Sequence, residues 1–345
     1  MLKDKNSVHP FAATLLSWFA EHGRCLPWRE TTDPYAIWLS EVVLQQTRID
    51  QGTSYWHRLM ERFPSVEELA AADEDEVLLQ WQGLGYYSRA RNLHHAARQI
   101  VEMGQFPSSF KALQSLKGVG RYTAAAIASF AFGECVAVVD GNVYRVLARY
   151  FGIDTPINSS AGERLFFSLA QELIPASAPA LFNQAMMDFG ALCCTPSSPH
   201  CSLCPLSLSC HALRAQLTSS LPIKLKKVKV KERRMAWLIV IHQDSIALRR
   251  RGAGDIWQGL WEPVNLIDDP HVSSHVLLST RRAWMSVAEG HRHLLTHRLL
   301  LADFHLYRPE ERPPLPKGYQ WVRLSELQNY ALPQLMVDVF NKCIK

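Results

Sequence analysis

The chain has 345 residues, 48% of them hydrophobic and 20% charged, with a net charge of +5. That length and balance exclude a disordered chain and leave room for two ordinary domains, each with its own core. The mild basic excess is compatible with a polyanionic partner without requiring one. The opening residues Met1-Leu2-Lys3-Asp4-Lys5 are polar and no apolar run is long enough to span a bilayer, so no signal peptide or membrane association is expected and the expected compartment is the cytoplasm.

Residues 8–23 carry Phe11, Leu15, Leu16, Trp18 and Phe19 at helical spacing and stop at Gly23. Leu26-Pro27-Trp28-Arg29 breaks that helix. Asp33-Pro34 then reads as an N-cap followed by proline at the first helical position. The helix it opens holds Trp38, Leu39, Glu41, Val42, Val43, Leu44, Gln45 and Gln46. Helical patterns continue over 53–62, 65–72, 74–81 (capped by Asp73) and 89–103, interrupted by the turn Gly83-Leu84-Gly85-Tyr86-Tyr87. They resume over 144–151, 162–173 and 180–192. No strand pattern precedes residue 216, so residues 1–216 are expected to form an all-α domain.

The composition then shifts. Lys224, Lys226, Lys227, Lys229, Lys231, Arg233 and Arg234 lie in a stretch with almost no acid, so residues 217–234 read as a basic linker able to lie on phosphates. From Met235 onward short strand patterns appear at 237–241, 246–248, 299–304 and 321–322, and a helix pattern closes the chain from Gln334. Residues 235–345 are therefore expected to form a smaller α+β domain.

Within the helical part, Leu116-Lys117-Gly118-Val119-Gly120-Arg121-Tyr122-Thr123 stands out. Gly118 and Gly120 can take backbone angles closed to residues with a Cβ, and they let the chain approach something bulky. The helix that starts at Thr123 leaves free N–H groups at its N-terminus, where an anionic oxygen, most often a phosphate, can sit. A carboxylate, Asp140, follows after an apolar run and precedes Gly141-Asn142. Taken alone, such a turn is equally a helix–helix corner.

The eight cysteines are unevenly placed: Cys193, Cys194, Cys201, Cys204 and Cys210 crowd together, while Cys25, Cys135 and Cys343 are scattered. In a reducing compartment such a group reads as metal ligands rather than disulfides. Cys194-x6-Cys201-x2-Cys204-x5-Cys210, stiffened by Pro196, Pro199 and Pro205, offers four thiolates that suit either tetrahedral zinc or a cubane iron–sulfur cluster. The single tight pair and the wide outer spacers lean toward the larger group. Cys193 reads as a buried structural thiol.

The glycine hairpin, the downstream Asp140 and the cysteine spacing together resemble the helix-hairpin-helix DNA glycosylases of the endonuclease III superfamily. The words Leu26-Pro27-Trp28-Arg29, the run from Trp38 to Thr47, the run from Gly83 to Leu93, and Phe182-Asn183-Gln184-Ala185-Met186-Met187-Asp188 narrow the resemblance to the adenine DNA glycosylase branch, across nearly all of residues 8–212. The resemblance implies a [4Fe-4S] cluster on Cys194, Cys201, Cys204 and Cys210. It also implies double-stranded DNA containing A:8-oxoguanine or A:G mispairs as partner, a monomeric chain, and a nucleoid-associated location of bacterial type.

Removing adenine from deoxyribose leaves a poor anionic leaving group and a cationic sugar, so an acid for the base and a negative charge near the sugar are needed. Glu41 lies among Trp38, Leu39, Val42, Val43 and Leu44, surroundings that raise a carboxyl pKa. The resemblance makes it the proton donor and then the activator of water. It makes Asp140, which can also cap the next helix, the stabiliser of the oxocarbenium-like sugar, supported by Asn142 and Tyr122. Bifunctional lyases of the superfamily have a lysine where Tyr122 stands; a phenol cannot form a Schiff base, which implies a monofunctional glycosylase. Gln46 and Tyr86 are implied to fill the gap left by the extruded base, with Trp28, Arg29 and Gln184 as adenine-pocket or strand contacts.

The C-terminal part resembles the Nudix-like recognition domain of the same family, with Asp255-Ile256-Trp257-Gln258-Gly259-Leu260-Trp261-Glu262 as its tryptophan-rich turn. No Glu-rich metal helix follows, so binding without hydrolysis is implied. Where relatives read the lesion strand with Phe-Ser-His, this chain has Leu295-Thr296-His297, and Glu262-Pro263-Val264 lacks the expected phenylalanine. Thr296 and His297 keep the hydroxyl and the imidazole.

Overall fold

The computed structural model describes residues 8–225, 230–295 and 298–344. Thr296, His297 and the lysines Lys226, Lys227 and Lys229 lie outside the described residues. In chain order the helices are α1 Pro10–His22, α2 Pro34–Val43, α3 Ile49–Arg62, α4 Val66–Ala71, α5 Glu74–Gln80, α6 Ser88–Met103, α7 Phe110–Leu113, α8 Arg121–Phe132, α9 Gly141–Phe151, α10 Ser160–Leu173, α11 Pro179–Leu192, α12 His211–Arg214 and α13 Gln334–Cys343. The strands are β1 Lys231–His242, β2 Ser245–Arg250, β3 Trp261–Glu262, β4 Val264–Asn265, β5 Met285–Leu294, β6 Arg298–Tyr307 and β7 Gln320–Arg323. No helix among the described residues is long and apolar enough to cross a membrane.

The chain packs as two units, Met1–Glu67 with His95–Lys226, and Glu68–His94 with Lys227–Lys345. The sequence reading placed residues 68–94 in the helical domain.

In the first unit the local signals explain the helices. Asp33 caps α2, its carboxylate accepting from Tyr35 N at 3.0 Å and Ala36 N at 3.4 Å, with Pro34 at the first position. Every residue of α2 from Tyr35 to Val43 is buried, which makes it the central helix of its part of the core. The helix ends at Val43, before Gln46, whose φ of 60° cannot continue a right-handed helix. A second cluster joins Phe11 and Leu15 of α1, Val146 and Leu147 of α9, Phe166 of α10 and Phe182, Met186 and Phe189 of α11.

In the second unit the strand order is β3-β2-β1-β6-β5, with β4 also pairing with β1 and β7 with β2. β1 and β6 are parallel, from Lys231↔Arg298 to Val240↔Tyr307, and the other pairings are antiparallel. β1 is apolar on both faces: Met235, Trp237, Ile239 and Ile241 pack with Leu335, Met336, Val339 and Phe340 of α13, while Leu238 and Val240 pack with Val264, Val272 and Leu277. Such two-sided burial produces the unbroken apolar run seen in the sequence. The basic stretch read as linker runs into this strand. Lys231, Arg233 and Arg234 belong to β1, and Arg233 is paired with Asp255 (Nη2–Oδ2 2.7 Å) and Asp268 (3.0 Å). The cross-strand backbone partners on β6 keep these charged residues extended where composition alone suggested a connector.

Candidate active site

Glu41 sits in the last turns of α2 and is only 6% exposed. Burial pushes its carboxyl up to about 7, with the charge of Asp140 adding to the rise, against a hydrogen bond donated by the Tyr122 hydroxyl and the nearby positive charge of Arg29. Tyr122, at the second position of α8, is itself pushed well above the usual phenol range by burial and by the charges of Glu41 and Asp140. Three groups read from separate stretches of sequence therefore share one electrostatic environment. Gln45, just past α2, donates to Thr123 of α8 at 3.3 Å and ties the two elements together.

Asp140 is the N-cap of α9. Its Oδ1 accepts from the backbone N–H groups of Asn142 and Val143, both at 2.8 Å, and its Oδ2 accepts from Asn142 Nδ2 at 2.7 Å. Burial pushes this carboxyl up, while those N–H donors and the charge of Arg145 favour the ionised form. Capping and a role at the site are therefore one arrangement, because the bonds that start the helix also orient the free edge of the carboxylate.

Behind Asn142 lies a residue that the sequence reading did not single out. Arg145, 8% exposed, donates from Nη2 to Asn142 Oδ1 at 2.8 Å and to Gly190 O at 2.6 Å, and from Nε to Cys194 O at 2.7 Å. It stands three positions after Asn142, the helical spacing that puts two side chains on one face. One turn further on, Arg149 donates to Thr195 O (2.7 Å), Pro196 O (2.9 Å) and Leu221 O (3.0 Å), with Nη1 3.4 Å from Cys194 Sγ. Gly190 makes this approach possible: a Cβ there would lie 2.6 Å from Asn142 Cβ and 3.0 Å from its carbonyl oxygen. Gly190→Ala is expected to cost about 1–3 kcal/mol through overpacking and to lower activity further by displacing Asn142. Thermal melting and single-turnover rates on the same preparation test this, and an unchanged rate would separate Gly190 from the site.

Arg29, assigned from the sequence to base or strand contact, is held by an ion pair. Its Nη1 and Nη2 both donate to the Asp188 carboxylate at 2.9 Å, and Nη1 also donates to Arg24 O at 3.0 Å. Arg24 grips the same carboxylate through its backbone N (2.9 Å), Nε (3.0 Å) and Nη2. Burial alone would raise the Asp188 pKa, but the bonds from Arg29 and Arg24 outweigh it and hold the group at about 2. Trp28, also assigned to base or strand contact, is 7% exposed and packs edge-on against Trp56. Gln184 is half-buried and lines a groove of about 480 Å³ with Arg24 and Arg29.

At the hairpin, Gly118 takes a φ of 77°, the left-handed conformation that favours glycine. Gly120 does not: it is the N-cap of α8 at φ −83°, and a Cβ there would meet nothing within 4 Å. The backbone angle therefore does not explain Gly120, which lies open to the outside. No side chain caps α8, and Arg121, the first residue of this helix, holds its guanidinium 3.6 Å over the Phe167 ring. Gln46 and Tyr86 are both exposed and take left-handed φ values, 60° and 47°. Such strain concentrates at ligand contacts.

Cys194, Cys201, Cys204 and Cys210 line one small cavity of about 30 Å³ together with Cys193 and Arg149. Cys193 is buried, as expected, and its thiol hydrogen-bonds Cys204. Among the described residues no group of three or more His, Cys, Asp or Glu side chains converges as a site for a metal ion. The donor chemistry nonetheless suits a cluster. Four cysteine side chains line one small space without converging on a point, and two buried arginines lie beside them, able to offset negative charge on a bound group.

In the second unit the tryptophan-rich turn leads into Glu262, which is fully buried. It accepts from Trp237 Nε1 (2.8 Å), Arg249 Nε and Nη2 (3.0 and 2.8 Å), Asn265 Nδ2 (3.2 Å) and Arg251. The 3-10 helix Val276–Ala283 that follows carries no carboxylate.

Residues 39–171 match the HhH-GPD superfamily base excision DNA repair protein family, and residues 236–342 match the NUDIX domain. The chain is 32% identical to the adenine DNA glycosylase of Mus musculus over 406 residues, covering 99% of this chain and 79% of that protein. The chain belongs to the adenine DNA glycosylase family. The family member from Buchnera aphidicola subsp. Schizaphis graminum is 34% identical over 258 residues, 74% of each chain. The human adenine DNA glycosylase is 44% identical over 223 residues, so the chain matches 41% of that protein's length. Among solved structures, a thermostable thymine-DNA glycosylase superposes with a TM-score of 0.56 at 32% identity, over 59% of this chain and 95% of that one. A non-covalent endonuclease III–DNA complex shares the fold at TM-score 0.53 and 24% identity, over 63% of this chain and 99% of that one. The expected architecture, an all-α helix-hairpin-helix glycosylase domain followed by a smaller α+β Nudix-like domain, is the one found.

Proposed function

We propose that the protein hydrolyses the N-glycosidic bond of adenine mispaired with 8-oxoguanine or guanine in double-stranded DNA, acting on an extruded nucleotide. The observation that carries this reading is the buried Glu41 carboxyl, at a pKa of about 7 beside the hydrogen-bonded carboxylate of Asp140. Burial raises both carboxyl groups, Glu41 to about 7, while two backbone N–H groups, the Asn142 amide and the charge of Arg145 oppose the rise at Asp140. This pairing of proton donor and charge stabiliser suits the cleavage. Glu41 protonates the adenine ring as the bond lengthens and then takes a proton from the attacking water. Asp140, held by Asn142, stabilises the positive charge that grows on the sugar. Tyr122 supports Glu41 by hydrogen bonding and offers no amine for a Schiff base, so cleavage stops at an abasic site.

The open glycine turn at Gly118–Gly120 and the uncapped start of α8 suit a DNA phosphate, with Arg121 adding a positive charge. Gln46 and Tyr86 enter the space of the extruded base. The Nudix-like domain reads the strand opposite and does not hydrolyse nucleotides, with Thr296 and His297 as its proposed lesion contacts. Cys194, Cys201, Cys204 and Cys210 would hold a [4Fe-4S] cluster, which when bound supplies cross-links that fix the loop behind Arg145 and Arg149. The purified protein should then be yellow-brown and lose visible absorbance when iron is stripped. A colourless, zinc-bearing preparation would overturn the cluster assignment.

A single-turnover assay on an A:8-oxoguanine duplex tests the whole reading. Adenine release without strand nicking supports it, and binding with no base release points to a catalytically silent DNA-binding protein. The 32% identity to a thymine-DNA glycosylase favours a second reading, and thymine release from a T:G duplex would select it.

A further inference from the structure

The turn that presents Tyr86 is fastened to the sheet domain by contacts within the second unit. Gln82 Oε1 accepts from Leu332 N at 2.9 Å, and Tyr87 Oη donates to Leu332 O at 3.3 Å. Arg91 Nη1 donates to Gln258 O at 2.6 Å. On the approach to the turn, Arg250 Nη2 binds Glu74 Oε1 at 2.9 Å and Asp75 Oδ1 at 2.6 Å on α5. A Cβ on Gly259 would come within 3.0 Å of Leu78 Cδ1, so the loop and α5 have closed to contact. Within the turn, Arg89 Nη2 donates to Leu84 O (3.2 Å) and Gly85 O (3.3 Å), with its guanidinium 5.7 Å from the centre of the Tyr86 ring.

Tyr86 itself is 44% exposed at φ 47°. A non-glycine residue in that conformation is strained and persists only where its surroundings over-determine it. These fastenings supply that restraint. The ring stands at the edge of a groove of about 650 Å³ whose other walls include Trp257, His293, Leu295 and Arg298.

We propose that Gln82 and Arg91 are positioning residues, which fix the turn to Leu332 and Gln258 so that Tyr86 is presented in its strained, outward conformation. The sheet domain thus contributes to recognition by setting where Tyr86 stands, in addition to any base it touches. This inference rests on the reading of Tyr86 as a side chain that enters the DNA stack.

The test uses the full chain in a Glu41→Gln background, bound to an A:8-oxoguanine duplex with 2-aminopurine beside the mispair, whose fluorescence rises on unstacking. Gln82→Leu is expected to cut the rise at least about threefold, the scale of one lost hydrogen bond, with the melting temperature of the protein nearly unchanged. Gln82→Glu, which keeps an acceptor for Leu332 N, should restore it. Arg91→Met should behave like Gln82→Leu. In a Tyr86→Ala background neither substitution should have further effect, since residues that act through one side chain are not additive. An undiminished loss in that background, or no loss from Gln82→Leu, overturns the inference while leaving the role of Tyr86 intact. If Tyr86→Ala alone leaves the rise unchanged, the stack-entry reading falls and takes the inference with it.

Discussion

Glu41→Gln is expected to bind the mispaired duplex and release no measurable adenine. Glutamine keeps the shape and still accepts from Tyr122, but it has no proton to give the base and cannot activate water, and losing a general acid costs about 10²–10⁴ in rate. In the native protein the donor must be protonated, so the single-turnover rate should hold up to a pH of about 7 and then fall about tenfold per unit. On the acid side the rate falls as Asp140 takes up a proton. The same pKa has a consequence for stability. The folded value of about 7 lies above the ordinary 4.5, so the contribution of Glu41 is complete below 4.5 and is lost as pH rises through about 7. Glutamine carries no such penalty. At alkaline pH the variant should therefore be more stable than the native protein by up to about 3 kcal/mol, the gap closing in acid. A variant that turns over normally would remove Glu41 from the acid role, and a flat stability difference across pH would show that the carboxyl is not desolvated.

Much of this site could be read from the chain because its signals are local. Asp33-Pro34 starts the helix that carries Glu41, and Asp140 caps the helix that carries Asn142; each is a short-range bond between a side chain and nearby N–H groups. What could not be read is set by distant partners or by strain. Gln46 reads from the sequence as part of the helix that carries Glu41, yet it lies beyond that helix with a left-handed φ. The basic residues Arg233 and Arg234 look like a connector until β6 supplies their backbone partners. β5 escaped notice because Met285–Leu294 is largely exposed, without a clean apolar alternation, and its pairing with β6 slips twice, between Ser286 and Ala288 and between Ala288 and His291. Arg29 reads as an adenine-pocket or strand contact, and nothing local in the sequence shows that Asp188, 159 residues away, is brought against it.

Asp188→Asn tests that last pairing and carries the second large expected effect. The native carboxylate is fully buried and receives N–H donors from two arginines, whose side chains are 27% and 12% exposed for Arg24 and Arg29. An amide presents donors toward donors and removes the charge that neutralises both guanidinium groups. Breaking one side of a buried pair costs about 3–5 kcal/mol, and the partial exposure of Arg24 favours the lower end. Because the folded pKa, about 2, is below the ordinary 3.8, this stabilisation is present above 3.8 and lost as pH falls through about 2. The variant should therefore melt earlier at neutral pH, with the difference shrinking in strong acid. Activity should change in a specific way too. The charge of Arg29 already pulls the Glu41 pKa down, and without Asp188 to offset it the pull grows, so the alkaline limb of the pH–rate profile moves to lower pH. Adding Arg29→Met should recover part of the stability and return that limb toward or beyond its native position. An Asp188→Asn protein with the native melting point and pH profile would mean that the pair neither holds this corner of the fold nor tunes the acid.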